Sequence, residues 1–110
     1  MLGIAFEFHV YDLLKREFAD YDIIEQPKLA NGTIPDFIVE SEDELVVVDA
    51  KDKQRLTMSD IDQMIDYLQE LDADFGIIYA ASDTDIPEVV EQYAARNAIE
   101  IEYTRWRSRV

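Results

Sequence analysis

The sequence contains no cysteine, which excludes a disulfide scaffold, a thiol nucleophile and a cysteine zinc site. Its one histidine, His9, cannot form a histidine metal cluster and is expected to pack or face solvent without a catalytic role. No apolar run approaches the roughly 18 residues that a membrane-spanning helix needs. No basic stretch precedes an apolar one at the start, so no secretory signal is read there. The expectation is a cytoplasmic protein. Positive charge is scarce as well: 10 Lys and Arg stand against 25 Asp and Glu, for a formal net charge of -15. Taken alone this argues against nucleic acid, because affinity for phosphates normally comes from basic residues.

What is present suffices for a single folded domain. The chain has 110 residues, 48% of them hydrophobic, enough for a core at ordinary domain size. The acids suit a basic partner, or life in strong salt, where at about 1 M the Debye length shrinks to about 3 Å and self-repulsion is screened. Lysine is confined to Lys15, Lys28, Lys51 and Lys53, and the Asp-rich balance resembles that of halophilic proteins.

Periodicity supplies the elements. Phe6, Val10, Leu13, Leu14 and Phe18 recur at helical spacing and predict a helix over 5–18. Short strands follow at 21–25 and 37–40, with Asn31-Gly32 as a turn signal between them. The β-branched run 45–51 reads as a buried strand. Thr57 or Ser59 caps a second helix to about Leu71, with Ile61, Met64, Ile65 and Leu68 as its apolar stripe. A strand at 75–80, a helix opened by Pro87 and running to about Asn97, and a strand alternating at Ile99, Ile101 and Tyr103 complete the chain. The α-β-β-β-α-β-α-β order predicts one mixed sheet flanked by helices. The helix between the third and fourth strands implies a parallel crossover, and a sheet covered on both faces explains its continuous apolar strands.

One pair of residues breaks the hydrophobic pattern. If the hairpin loop is centred between Glu42 and Asp43, cross-strand partners have numbers totalling 85, and Asp36 faces Asp49. Facing residues bring their Cβ atoms to about 4.5–5.5 Å. Two carboxylates so placed repel, and one takes a proton unless a cation lies between them. Asp49 interrupts the most hydrophobic strand of the chain, a costly place for an unpaired charge. Lys51, two residues on, shares its face. Oxygen ligands of this kind suit Mg²⁺, which typically takes one or two carboxylates with water and substrate phosphate. The Ala50 carbonyl is a candidate further ligand. Glu7, at helical spacing from Val10, Tyr11 and Leu14, is a candidate third acid.

Pro35-Asp36 followed by Asp49-Ala50-Lys51 resembles the PD-(D/E)XK nuclease superfamily, and the element order resembles its restriction-endonuclease-like αβββαβ core. Gly3-Ile4-Ala5-Phe6-Glu7 resembles the acidic first helix of archaeal Holliday-junction resolvases. Gln63 and Tyr67 resemble the Q-x-x-x-Y motif of RecB-like exonucleases, and Gly32–Asp36 is similar to a stretch of virus-type replication-repair nucleases. The resemblance implies a Mg²⁺- or Mn²⁺-dependent nuclease acting on duplex or branched DNA. It implies Asp36, Asp49 and Glu7 as metal ligands, Lys51 as catalytic lysine, and Gln63 and Tyr67 as groups near the metal or a phosphate. The second acid is Asp where the family more often has Glu.

Lys53 and Arg55 alternate with Lys51 and are the candidate nucleic-acid contacts. Arg105, Arg107 and Arg109 surround Trp106 at the end of the chain. Their phase matches the inward residues 99, 101 and 103, so the strand is expected to end after Tyr103 and leave a basic tail able to reach phosphates and stack on a base. A homodimer is expected, because cutting two strands takes two sites and the sequence carries one. The competing expectation is a catalytically silent nuclease fold that binds a basic partner or serves a larger nuclease complex.

Overall fold

The computed structural model describes residues 2–107, with side chains from residue 5 onward. The elements are α1 (Leu2–Glu17), β1 (Asp22–Glu25), β2 (Phe37–Glu40), β3 (Leu45–Lys51), α2 (Met58–Leu71), β4 (Phe75–Ala80), α3 (Glu88–Arg96) and β5 (Ile99–Tyr103). The order is the one the periodicity predicts. α1 begins three residues earlier than expected.

The sheet runs in the simple order β1-β2-β3-β4-β5. β1, β2 and β3 pair antiparallel, and β4 and β5 add in parallel. Both parallel crossovers step the same way along the sheet, so a single handedness places α2 and α3 on the same face. α1 covers the other. The core divides accordingly into two layers. Ile38, Val47 and Ile78 pack with Ile61, Met64, Tyr67 and Val90 on the α2–α3 side. Phe37, Val39, Val46, Val48 and Ile77 pack with Phe6, Val10 and Leu14 on the α1 side. Strand alternation thus feeds both layers, and Val46, Val47 and Val48 are all fully buried.

The stripe of α2 is rotated from the expected one. Ile61, Met64 and Tyr67 are buried, whereas Ile65 and Leu68 are only partly covered. α2 approaches the sheet closely at Gly76, where a Cβ would stand 2.6 Å from Met64 Sδ. Met64 and Leu68 both meet β4 at Gly76, while the Tyr67 hydroxyl reaches the Ile34 carbonyl ahead of β2.

β5 ends at Tyr103, as the arginine phase requires. Trp106 differs from the expected free tail. Its carbonyl accepts from the Ser82 N–H at 2.6 Å, and its ring lies 5.8 Å from Phe6 and 5.7 Å from His9. An indole has too much apolar surface to stay in water beside an open hydrophobic edge, so it docks on α1 and is not free to stack on a base. Arg105 and Arg107 remain exposed; Arg109 lies outside the described residues. His9 packs against Phe6 and Trp106. Among the described residues, no helix is long and apolar enough to cross a membrane.

Candidate active site

The β2–β3 register pairs Phe37 with Val48 and Ile38 with Val47, which is the frame that sets Asp36 opposite Asp49. The two acids cross-brace the open end of the hairpin. The Asp36 N–H donates to Asp49 Oδ1 at 3.0 Å, and the Ala50 N–H donates to Asp36 Oδ2 at 2.8 Å. Asp49 is only 3% exposed. Burial, then the charge of Asp36, pushes its carboxyl from 3.8 up to about 6, against the lowering effect of Lys51.

Lys51 completes a short polar row on the α2 face. Its Nζ is 3.5 Å from Asp49 Oδ2 and donates to Gln63 Oε1 at 2.8 Å. Gln63 is one helical turn from Tyr67 on α2, and it stays exposed while Tyr67 is 3% exposed. The Tyr67 hydroxyl donates to the Ile34 carbonyl at 3.5 Å. Burial, with the charges of Asp49 and Asp36 adding to it, pushes that phenol up to about 12. The sequence placed Tyr67 beside the apolar stripe; the structure puts it in the stripe, with no ring face offered to a nucleic-acid strand.

Glu7 arrives from α1, over the opposite face. Its carboxyl is pushed from 4.5 up to about 7 by burial and by Asp36, with Asp49 adding a smaller push. Gln26 steadies it, donating from Nε2 to Glu7 Oε2 at 3.4 Å. Gln26 takes a left-handed conformation at φ 46, and its N–H donates to the Asp36 carbonyl at 2.8 Å. No sequence signal pointed to Gln26 beyond its place before Pro27. Glu7, Asp36, Asp49 and Lys51 therefore gather at one end of the sheet.

Lys53 and Arg55 lie further along and are engaged by carboxylates. Lys53 Nζ bonds both oxygens of Asp60, at 3.1 and 2.9 Å, and Arg55 Nε donates to Asp85 Oδ2 at 2.8 Å. Asp60 also accepts the Thr57 N–H at 2.8 Å. Burial would raise the Asp60 carboxyl, but these donors outweigh it and hold it below its usual range.

Among the described residues, no three His, Asp or Glu side chains are arranged as a ready metal cage. The donor chemistry nevertheless fits a hard divalent cation. All the groups are oxygen donors, and Glu7 and Asp49 are each pushed up by burial and then by the charge of Asp36, the second of which a cation would relieve. Mg²⁺ is bound through one or two carboxylates, water and substrate phosphate more often than by an all-protein cage.

No protein-family model matches the sequence, and no curated protein matches it either. Solved structures do match in fold. A repair endonuclease from Pyrococcus abyssi superposes with a TM-score of 0.66 at 19% identity, over 89% of this chain and 46% of that one. EndoMS in its apo form gives 0.61 at 15% identity, over 89% and 45%. SfsA of Pyrococcus furiosus, in complex with Ca²⁺, gives 0.59 at 16% identity, over 93% and 55%. The chain spans about half the length of these proteins. Its fold is restriction-endonuclease-like: a mixed α/β architecture with a five-stranded sheet flanked by helices.

Proposed function

We propose that the chain is a divalent-metal-dependent nuclease that hydrolyses DNA phosphodiester bonds, as a structure-directed or non-specific endonuclease. The observation that carries this reading is the cross-braced pair Asp36 and Asp49, with Lys51 Nζ 3.5 Å from Asp49. Surface hairpins do not ordinarily bury one of two facing acids to 3% exposure. The same fold in a repair endonuclease, and in a protein solved with Ca²⁺, supports it.

Asp36 and Asp49 would hold Mg²⁺ or Mn²⁺, joined by Glu7 and the Ala50 carbonyl. The ion would supply an acidified water and neutralise phosphate charge. Lys51, held by Asp49 and Gln63, is placed to orient a water and to stabilise charge developing on phosphate oxygens. Gln63 acts as a positioning residue through Lys51, and Tyr67 acts by holding the segment before Asp36 through the Ile34 carbonyl. Lys53 and Arg55 contact the strand only by sharing themselves with Asp60 and Asp85. Cutting two strands calls for two copies of this site, so the acting species is proposed to be a homodimer in the cytoplasm.

The test is cleavage of duplex, single-stranded and branched DNA with Mg²⁺ or Mn²⁺ at low and high salt. Activity lost in Asp49→Ala and Asp36→Ala is expected. Absence of cleavage on every substrate, or cleavage unchanged in Asp49→Ala, refutes the reading. The net charge of -15 favours a second reading, a silent fold that binds a basic partner. Calorimetry separates the two: metal binding abolished by Asp36→Ala belongs to the enzyme, and no metal binding to the silent module.

A further inference from the structure

A pocket of about 240 Å³ opens beside the acids, lined by Glu7, Phe8, Tyr11, Glu25, Gln26 and Phe37. Glu7 is a shared wall, facing Asp36 on one side and this pocket on the other. Three of the six lining residues are aromatic. Tyr11 and Phe37 stack at 6.0 Å with an interplanar angle of 23°. Phe8 is 63% exposed and leaves its ring open to solvent at this pocket. The two carboxylates and the Gln26 amide complete the rim. Pockets that enclose drug-sized ligands run to roughly 300–1,000 Å³, so this one suits a single ring system better than a whole nucleotide.

The geometry points to a receiving pocket for one unpaired nucleobase that carries an exocyclic amino group. The inference rests on the nuclease reading for the phosphate next to it, and it narrows the substrate to nucleic acid with an unstacked nucleotide near the cut. The rings give a base a flat apolar surface, a sequence-tolerant contact. The rim gives the selection. A carboxylate accepts from the amino groups of cytosine and adenine, and guanine also carries one; thymine has none. A strongly negative molecule repels phosphates, so a contact through the base, with the charge left outside, suits this chain. The nearby Lys15 is already engaged, its Nζ 3.3 Å from Asp12 Oδ1 and 4.8 Å over the Tyr11 ring, which leaves Phe8 as the open ring.

Binding can be read without cleavage. Single-stranded dC, dA and dT oligonucleotides of equal length, with 2-aminopurine at successive positions, are titrated with the full chain in Ca²⁺. Wild-type protein is expected to bind dC and dA more tightly than dT and to quench 2-aminopurine at one position. Phe8→Ala, at an exposed site that leaves the core intact, is expected to weaken all three on the order of tenfold, because the ring contact does not depend on the base, and to leave the preference for dC and dA over dT in place. Phe8→Trp should restore affinity, and Glu25→Gln with Gln26→Ala should erase the preference over dT. Equal binding of all three, unchanged by Phe8→Ala, overturns the pocket, as does absence of binding. If DNA is still cleaved in that case, the nuclease reading survives alone. Quenching lost in Phe8→Ala but kept in an Asp49→Asn protein supports the pocket whether or not the wild type cleaves.

Discussion

Asp49 is the residue on which the pH behaviour should turn. Burial and Asp36 push its carboxyl from 3.8 up to about 6, and Glu7 is pushed from 4.5 up to about 7. The folded protein therefore holds these protons more tightly than the unfolded chain does. Their stabilising contribution is complete below the unfolded values and is lost as pH rises through the folded ones. The thermal midpoint of wild-type protein is expected to fall between about pH 4 and about pH 7 relative to Asp49→Asn. Asparagine keeps an oxygen for the Asp36 N–H while carrying no charge. Added Mg²⁺ or Mn²⁺ should recover the midpoint at the upper end of that range and not at the lower, because the ion needs ionised ligands. Superposable profiles for the two proteins would refute this. Lys51 separates two roles. Lys51→Ala should lower cleavage about 10²–10³-fold, while calorimetric metal affinity is unchanged or improved, since the ammonium repels the ion.

At the scale of elements, α2 carries the second half of the site and its register against the sheet is set at two points. One is its N-terminus, where Thr57 precedes the helix and Asp60 accepts the Thr57 N–H at 2.8 Å and Lys53 Nζ at 2.9 Å. Asp60→Ala is expected to cost roughly 1–2 kcal/mol, as lost caps do, measured by denaturant unfolding. The other is Gly76 against Met64. A methyl at residue 76 would meet Met64 Sδ at 2.6 Å and Cγ at 2.9 Å, and Met64 is fully buried, so its side chain must shift within the core. Gly76→Ala should therefore destabilise by about 1–3 kcal/mol. It should also lower cleavage, because displacing α2 carries Gln63 away from Lys51. Unchanged stability in Gly76→Ala would refute this close approach of α2 to the sheet.

For the whole molecule, charge is the governing property. With -15 on 110 residues, acids repel across the surface, as around the hairpin tip, where Asp20, Asp22, Glu40, Glu42 and Asp43 line one hollow. Raising NaCl from about 0.1 M to about 1 M shortens the Debye length from about 10 Å to about 3 Å. The thermal midpoint is expected to rise over that range, and a fall would refute the account. Exposed pairs such as Arg55 with Asp85 weaken in salt but contribute little to begin with.

The element order, the β2–β3 register and the facing acids were legible in the sequence because each follows from local rules. Alternation fixes strand faces, a hairpin fixes register once its loop is centred, and an acid amid Val46, Val47 and Val48 is conspicuous. Lys51 shares a face with Asp49 for the same reason of period two. Contacts between distant segments obey no such rule, and only tertiary packing decided them. It sank Tyr67 into the stripe, laid Trp106 on α1, and gave Lys53 and Arg55 carboxylate partners. It also brought Gln26 to Glu7 and Phe8 to the rim of a pocket. Those outcomes depend on how three helices share two faces of one sheet, a matter of volume and distance that residue spacing does not encode.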